Sequence, residues 1–399
     1  VKSMGKYKIN LLDTLLILFW IAIVGIYVPN PSIYYIYQGI ITIIVFLISI
    51  SEIKNLFLQG EILILSGIIV ISCILNRNQI LYTQVIRGIV YGLLIVDMFI
   101  FLKKYIKIRG AYKLIENFYK ISKVYFVINL IWIFILLISG NLIECIQNEK
   151  LFLGGKFPTV YSFIFYLMFF CMYWSGNKVF PFLMKKKLFL FISIICIWMS
   201  YLLQASTGII AITIFVLLEL FGEKIVSFMN KPMMIILLLV ISFSVIFFLN
   251  IILNNSLVQY IIIDILHEDL GLTGRMQLYK LLYNLLHKAG IFGNGFGSYV
   301  TSTLEYHGWA NSQNGLAEII LTYGYAGAIA FIAIIFESYR KNKMIVNSLS
   351  ITIITFIIVA VVEIPYDAKF LLLVILLRII DCRQINSNFD FPRKLKIRV

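Results

Sequence analysis

The stretch EYHGWANSQNGLAEII, residues 305–320, brings together an imidazole (His307), three amides (Asn311, Gln313, Asn314) and a carboxylate (Glu318). Asn314 and Glu318 are four positions apart and share one helix face, and Asn311 joins that face if the helix begins early. An imidazole or a carboxylate held against a hydroxyl is the equipment of a general base. The plainer reading is a capped helix start, with Ser312 or Asn311 as the cap and Glu318 gaining from the helix dipole. His307 alone reads equally well as polar surface.

Two further groups are cationic. Arg87, in LYTQVIRGIVYGLLIVDMF, falls about a third of the way into an apolar run, where a charge costs roughly 2.5–3.5 kcal/mol. It either snorkels to the surface or faces inward and holds an anion. Asp97 is nearly three turns further along the same helix, too far to neutralise it. Arg275 opens GLTGRMQLYKLLYNLLHKAGIFGNGFGSY, residues 271–299. There Met276, Leu278, Leu281, Leu282, Leu285 and Leu286 recur at helical spacing opposite Gln277, Lys280, Asn284 and Lys288. The pattern predicts an amphipathic helix lying on the membrane face or over a bundle. Gly290, Gly293, Gly295 and Gly297 then predict a tight loop. It lacks the preceding strand and the following Lys-Ser/Thr of a phosphate cradle, so a structural turn is the simpler reading. Ser206-Thr207-Gly208 reads as a cap and a packing glycine at a helix–helix turn. Glu363, Asp367 and Lys369 read as an exposed turn with an ion pair.

The elements that must position these groups are membrane helices. The chain is 61% hydrophobic and 13% charged, where a soluble domain keeps about a quarter of its residues charged. Apolar runs near the length of a span lie at 11–28, 33–50, 61–75, 80–102, 121–139, 158–175, 188–203, 208–222, 233–253, 315–336, 345–364 and 369–381. They predict an all-α, polytopic transmembrane bundle of about twelve spans in a single membrane domain, residues 1–399. One long external loop, residues 254–314, contains the amphipathic helix. The first run has no small-residue cleavage site after it and predicts an anchor, not a cleaved signal.

With the N-terminus in the cytoplasm and the spans alternating, basic clusters over 103–123, 185–187, 340–343 and 393–398 fall inside. Outside are only Arg77, Lys150, Lys156, Arg275, Lys280, Lys288 and Lys369. This is the positive-inside asymmetry, with both termini cytoplasmic. It accounts for most of the formal charge of +15 without nucleic acid as a partner. Five scattered cysteines without a CxxC give neither a disulfide framework nor a metal site.

The layout, the loop motif TGRMQLYKLLYNLLHKAGIFGNGFGSY and the closing SQNGLAEIILTYGYAGAIAFI resemble the O-antigen polymerase/ligase superfamily of bacterial surface-polysaccharide enzymes (Wzy and WaaL type). The specific likeness covers the loop and the start of the following span. It implies a multi-pass protein of the bacterial cytoplasmic (inner) membrane with its active site on the external face. The implied activity is that of a membrane glycosyltransferase, with no metal and no cofactor. Its donor would be an undecaprenyl-pyrophosphate-linked oligosaccharide, and its product an O-antigen or capsule polymer. Membrane lipid, a chain-length regulator and a flippase are the implied partners. Arg275 and Arg87 would steady the pyrophosphate. Asn311, Gln313, Asn314, Ser206, Thr207 and Lys280 would line the substrate path. Where many members read Ser-His-Asn-Gly, this chain has Ser312-Gln313-Asn314-Gly315, and a glutamine cannot act as a base. The base role then passes to His307 or Glu318. Near the eighth span, where many members read Ser-Arg-x-Gly, Ser206-Thr207-Gly208 lacks the arginine. An O-antigen-type ligase and a polysaccharide flippase or transporter are the rival readings. The missing histidine disfavours the ligase. The concentration of polar residues in one loop, without two related halves, disfavours the transporter.

Overall fold

The structure is a computed structural model that describes residues 11–176, 182–253, 255–260, 263–264, 275–298, 311–342 and 345–381. It is all-α. In chain order the helices are α1 (Leu11–Val24), α2 (Pro31–Ser49), α3 (Ile53–Phe57), α4 (Gly60–Leu75), α5 (Tyr82–Arg109), α6 (Ala111–Ile138), α7 (Leu142–Gln147), α8 (Lys156–Gly176) and α9 (Phe182–Leu202). They continue with α10 (Ser206–Phe221), α11 (Glu223–Met229), α12 (Pro232–Leu253), α13 (Ser256–Tyr260), α14 (Arg275–Lys288), α15 (Gly315–Lys341), α16 (Asn347–Val359) and α17 (Ala368–Ile379).

Five segments are long and apolar enough to cross a membrane: Pro31–Phe57, Tyr82–Arg109, Ala111–Ile138, Lys156–Ser175 and Gly315–Lys341. A sixth counts if α11 and α12, bent by 92° at their junction, form one span. The chain is a polytopic helical membrane protein. Ile33, Ile36, Ile40, Ile43 and Leu47 form an exposed apolar stripe along α2, a surface suited to lipid rather than water. Every predicted run coincides with a helix; α1 and α16 stop well short of their runs, while α4 and α10 match theirs and are brief. α1, α4, α10 and α16 have 14, 16, 16 and 13 residues. At 1.5 Å per residue the longest of these four reaches about 24 Å, short of a hydrocarbon core of about 30 Å. In contrast, α6 begins ten residues before its apolar run. Lys113 and Lys120 pair with Glu116 at helical spacing and carry the helix beyond the apolar region.

The centre of the bundle is built from α5, α8, α16 and α17, whose side chains are buried almost all round. Gly88 and Gly92, one turn apart on α5, let α4 approach closely: a Cβ on Gly88 would meet Cys73 Sγ at 2.2 Å. Stacked rings of Tyr119 with Tyr166 and Tyr173, and of Phe126 with Tyr166, join α6 to α8. Polar contacts sort to the two ends of the bundle. Among the described residues, every ion pair except Lys369–Asp367 lies at the end carrying Asp13, Glu52, Glu61, Glu116 and Glu337. The opposite end carries the candidate chemistry.

One span is broken. Within α15, Gly324 has φ 73° and ψ −175°, a conformation open to glycine, and it divides the helix about 14 Å from its start. Leu321 and Thr322 lose helical partners for their carbonyls, and Tyr325 and Ala326 for their N–H groups. The glycine loop after α14 supplies replacements. The N–H groups of Asn294 and Gly295 donate to Leu321 O and Thr322 O, both at 2.9 Å. Tyr325 N and Ala326 N donate to Gly290 O and Ile291 O at 3.2 and 3.0 Å. Ser72 Oγ donates to Thr322 O at 3.0 Å, and Asn76 Nδ2 to Gly293 O at 2.9 Å, tying the loop to α4. The loop, expected as a structural turn, is also the hydrogen-bonding partner of the break at Gly324. The two form one buried junction. A Cβ on Gly293 would lie 2.4 Å from Gly324 N, against backbone that cannot yield.

Gly293→Ala is therefore expected to lower stability by about 2–4 kcal/mol, from overpacking plus a disfavoured positive φ. Gly67→Ala, with open space around the new methyl, is expected to be neutral or to gain about 0.5–1 kcal/mol. Thermal unfolding of the purified variants in detergent measures both.

Candidate functional site

The candidate residues that the structure describes cluster at the end of the bundle where α5, α10, α15 and α17 begin. The helix expected near residue 315 starts at Gly315, with Asn314 as its N-cap. Asn311 is therefore outside the helix and shares no face with Glu318. Asn314 Oδ1 accepts from Ala317 N at 3.1 Å, and its Nδ2 donates to Ser242 O and Val361 O, both at 3.3 Å. The side chain is fully buried, and its amide is occupied by its own protein. Glu318 reaches back: its Oε2 accepts from Ser312 N at 3.0 Å. The two contacts hold the chain where it enters the bundle, as in a reciprocal helix cap.

Gln313 stands between them with φ 52°, a left-handed backbone uncommon outside glycine. Its N–H and its Nε2 both donate to Asn311 Oδ1, at 3.0 and 2.6 Å. Its carbonyl accepts from Tyr279 Oη at 2.8 Å, and the same hydroxyl lies 2.9 Å from Val361 O. Tyr279 thus pins α14 over the start of α15. As its periodicity predicted, α14 buries Leu278, Leu282, Leu286 and Ala289 against the bundle and exposes Lys280, Asn284 and Lys288. Lys280 projects from the outer surface of the helix. Arg275 opens α14, and its side chain is outside what the structure describes. His307 lies outside the described residues.

Arg87 is half-buried one turn into α5. Its guanidinium sits over the Tyr35 ring at 3.8 Å, with the Phe296 ring at 5.4 Å. Nη1 donates to Gln84 Oε1 at 2.9 Å. No carboxylate among the described residues pairs with it. Asp97 does not: it is buried deeper on α5, and neither of its oxygens has a partner among the described residues. Among the described residues the charge of Arg87 is met by π-faces and one amide oxygen, and an anion would complete the set. Phe296 belongs to the glycine loop and packs on Tyr91 at 5.4 Å, so the junction at Gly324 and the surroundings of Arg87 share one side chain.

The turn between α16 and α17 differs from the exposed turn expected. Glu363 is buried, Asp367 caps α17 by accepting from Lys369 N and Phe370 N, and Lys369 Nζ pairs with Asp367 at 3.0 Å. The Tyr34 hydroxyl donates to Ala22 O at 3.0 Å. Ser206 and Thr207 are half-buried at the start of α10, where the N-cap is Ala205 and no side chain caps the helix. Gly208 is a packing glycine as expected, with its α-carbon against Val160. Beside it Lys156 Nζ donates to Gln204 O at 2.8 Å.

The geometry joins Gln313, Asn314 and Glu318 in one network and joins Arg87 to the glycine loop. It places Ser206, Thr207 and Lys280 at the same end without direct contact to either group. Tyr279, Tyr35, Phe296 and Gln84 were not anticipated as site residues. Only Tyr279 had a signal, as an aromatic hydroxyl on the amphipathic helix. No protein-family model matches the chain, and no curated protein or solved structure matches it.

Asn314→Asp separates the two jobs of this side chain. The carboxylate keeps the cap to Ala317 N but faces two carbonyls it cannot donate to, so a loss of about 1–3 kcal/mol is expected. Asn314→Ala, which also loses the cap, is expected to lose about 1 kcal/mol more. Chemical or thermal unfolding in detergent checks the order.

Proposed function

We propose that the chain is a surface-polysaccharide polymerase, moving a glycan from undecaprenyl pyrophosphate onto the next lipid-linked repeat unit at the outer face of a bacterial cytoplasmic membrane. The observation that carries this reading is Arg87, a half-buried guanidinium at the mouth of the bundle without a carboxylate partner among the described residues. It lies beside the loop whose sequence resembles that family. In the reaction the bond between the anomeric carbon and the pyrophosphate oxygen breaks. A hydroxyl oxygen of the acceptor sugar bonds to that carbon, and its proton leaves to a base. Negative charge grows on the pyrophosphate. A guanidinium suits it, because its fork pairs with phosphate oxygens and stays charged. One such contact supplies about 3–4 kcal/mol, by analogy with oxyanion donors.

In this reading Arg275, at the head of α14, is the second cation on the pyrophosphate, and His307 or Glu318 takes the proton. Glu318 already spends one oxygen on Ser312 N, which holds the other in a fixed position. Gln313, Asn311 and Lys280 line the acceptor side, with Ser206 and Thr207 across the mouth. The short apolar helices α1, α4, α10, α16 and α17, together with α9 and the bent α11–α12 pair, complete a twelve-span layout. A local thinning of the bilayer accommodates the shortest of them.

Deleting the gene is expected to abolish long polymer and to accumulate single lipid-linked repeat units, read on polysaccharide gels and by mass spectrometry of the lipid fraction. Complementation with Arg87→Ala is expected to restore none. Arg87→Lys, which keeps charge but loses the fork and ring stacking, is expected to restore less than about a tenth. Glu318→Gln and His307→Ala test the base: full-length polymer in both, at wild-type protein levels, removes that assignment. Normal polymer in the deletion strain removes the function itself. For the layout, alkaline phosphatase fused after Lys150 is expected to be active, and fused after Lys104 inactive.

A further inference from the structure

At the end of the bundle away from Arg87, the ends of α3, α5, α15 and α17 enclose a cavity of about 570 Å³. Lys103, Lys107, Lys341 and Arg378 line it, with Glu52 and Asn55. The carboxylates are already committed. Glu52 accepts from Lys107 at 2.9 Å, and Asn55 donates to its other oxygen. Glu61, behind the wall, accepts from both Arg378 and Lys341, the latter at 3.2 Å. Glu337 lies 3.6 Å from Lys341 but is shared with Arg340. Lys103 has no carboxylate partner among the described residues and rests over the Phe99 ring at 5.4 Å. Arg378 is the sharper anomaly. Its side chain is 3% exposed, Nη2 is taken by Glu61, and Nε and Nη1 have no hydrogen-bond partner among the described residues. A buried charge with unpaired donors is expensive, and Arg378 brings that charge to the cavity wall with Glu61 as its one ion-pair partner among the described residues.

We propose that this cavity binds a phosphate group, supplied by the headgroup of an anionic phospholipid of the cytoplasmic leaflet. Arg378 lies in the last turn of α17, and Lys341 is the last residue of α15, so both stand where helix ends meet the headgroup layer. This is the end that the basic clusters place in the cytoplasm, where anionic headgroups attract juxtamembrane lysines and arginines. The phosphate is held by the positive charge of the lining, with Arg378 on the α17 side and Lys103 supplying a compact charge from the α5 side. The site ties α5, α15 and α17 together at the cytoplasmic end, independently of the reaction proposed for the other end.

The test uses the full-length protein. It is reconstituted in nanodiscs of phosphatidylglycerol or of phosphatidylcholine, extracted in mild detergent and weighed with its retained lipid by native mass spectrometry. In parallel, delipidated protein is melted with inorganic phosphate or with chloride at matched ionic strength. Arg378→Gln removes this charge but also takes away one of the two partners of Glu61. Lys103→Gln leaves every ion pair intact and is the variant that keeps the test decisive if the first does not fold. Retention of phosphatidylglycerol but not phosphatidylcholine, weakened about fivefold by Lys103→Gln and competed by inorganic phosphate, supports the lipid site. Stabilisation by phosphate without preferential retention of the anionic lipid overturns the lipid as source and leaves a soluble phosphate site. Equal retention of both lipids with no effect of phosphate overturns the proposal.

Discussion

A membrane span cannot be interrupted without satisfying the groups that the interruption frees. In hydrocarbon there is no water to take them, and each costs several kcal/mol if left unmade. The break at Gly324 frees such groups on both sides, and the elements around it are organised to meet them. The glycine loop supplies two N–H donors and two carbonyls. Its own position is then fixed by Asn76 at the end of α4 and by Phe296 against Arg87 and Tyr91 on α5, while Ser72 on α4 adds a donor to Thr322 O. With Tyr325 Oη on Leu286 O, the end of α14 is fixed as well. One break therefore sets the relative positions of α4, α5, α14 and α15.

The polar entrance to α15 belongs to the same construction. Asn314 joins the helix start to α12 and to the α16–α17 turn through Ser242 O and Val361 O. Tyr279 joins it to α14, and Gly315 N donates to Ala360 O at 2.9 Å. These contacts explain why an apolar helix carries an amide and a carboxylate in its first turns. Asn314 and Glu318 are first of all the fastening of a chain that must enter a bilayer at a fixed angle. Any chemistry at Glu318 is done by a group whose backbone is already immobilised, the condition under which a single proton acceptor is effective.

Most of the fold was legible in the sequence, because apolar runs of membrane length report helices whatever their neighbours do. The ends were less legible. α5 continues past its apolar run on basic residues paired with Glu52 and Asp13 of other elements, α6 begins before its run on charged residues paired along the helix, and hydropathy registers neither extension. The break at Gly324 was hidden, since a glycine among alanines reads as a packing face, and only its contact with Gly293, distant in sequence, shows otherwise. Within the candidate site, the amphipathic nature of α14 and the intramembrane position of Arg87 could be read directly. The partners of Arg87 could not: Tyr35 and Phe296 come from a helix and a loop far from it along the chain, and neither has a pattern of its own. Asn314 illustrates a deeper ambiguity. An asparagine at a helix start has the same spacing whether its amide faces a ligand or its own backbone, and only burial separates the two.

Arg87 and Arg378 show the two ways a bundle can hold a guanidinium. Each has one neutral or anionic protein partner and donors to spare, but the surroundings differ. Arg378 is buried among helix ends with a carboxylate touching it, so its net charge is largely cancelled and the remaining demand is local, for acceptors to its unpaired donors. Arg87 has ring faces and an amide oxygen, so its charge is intact and the demand is electrostatic. A cation of the second kind attracts an anion from a distance and gains most when the anion's charge increases, as it does on a departing pyrophosphate. A cation of the first kind gains from a static ligand whose charge does not change. The placement of the uncancelled charge at the end that also holds the loop, Gln313 and Glu318, and of the cancelled one at the end dense in ion pairs, gives the two ends of the bundle different work.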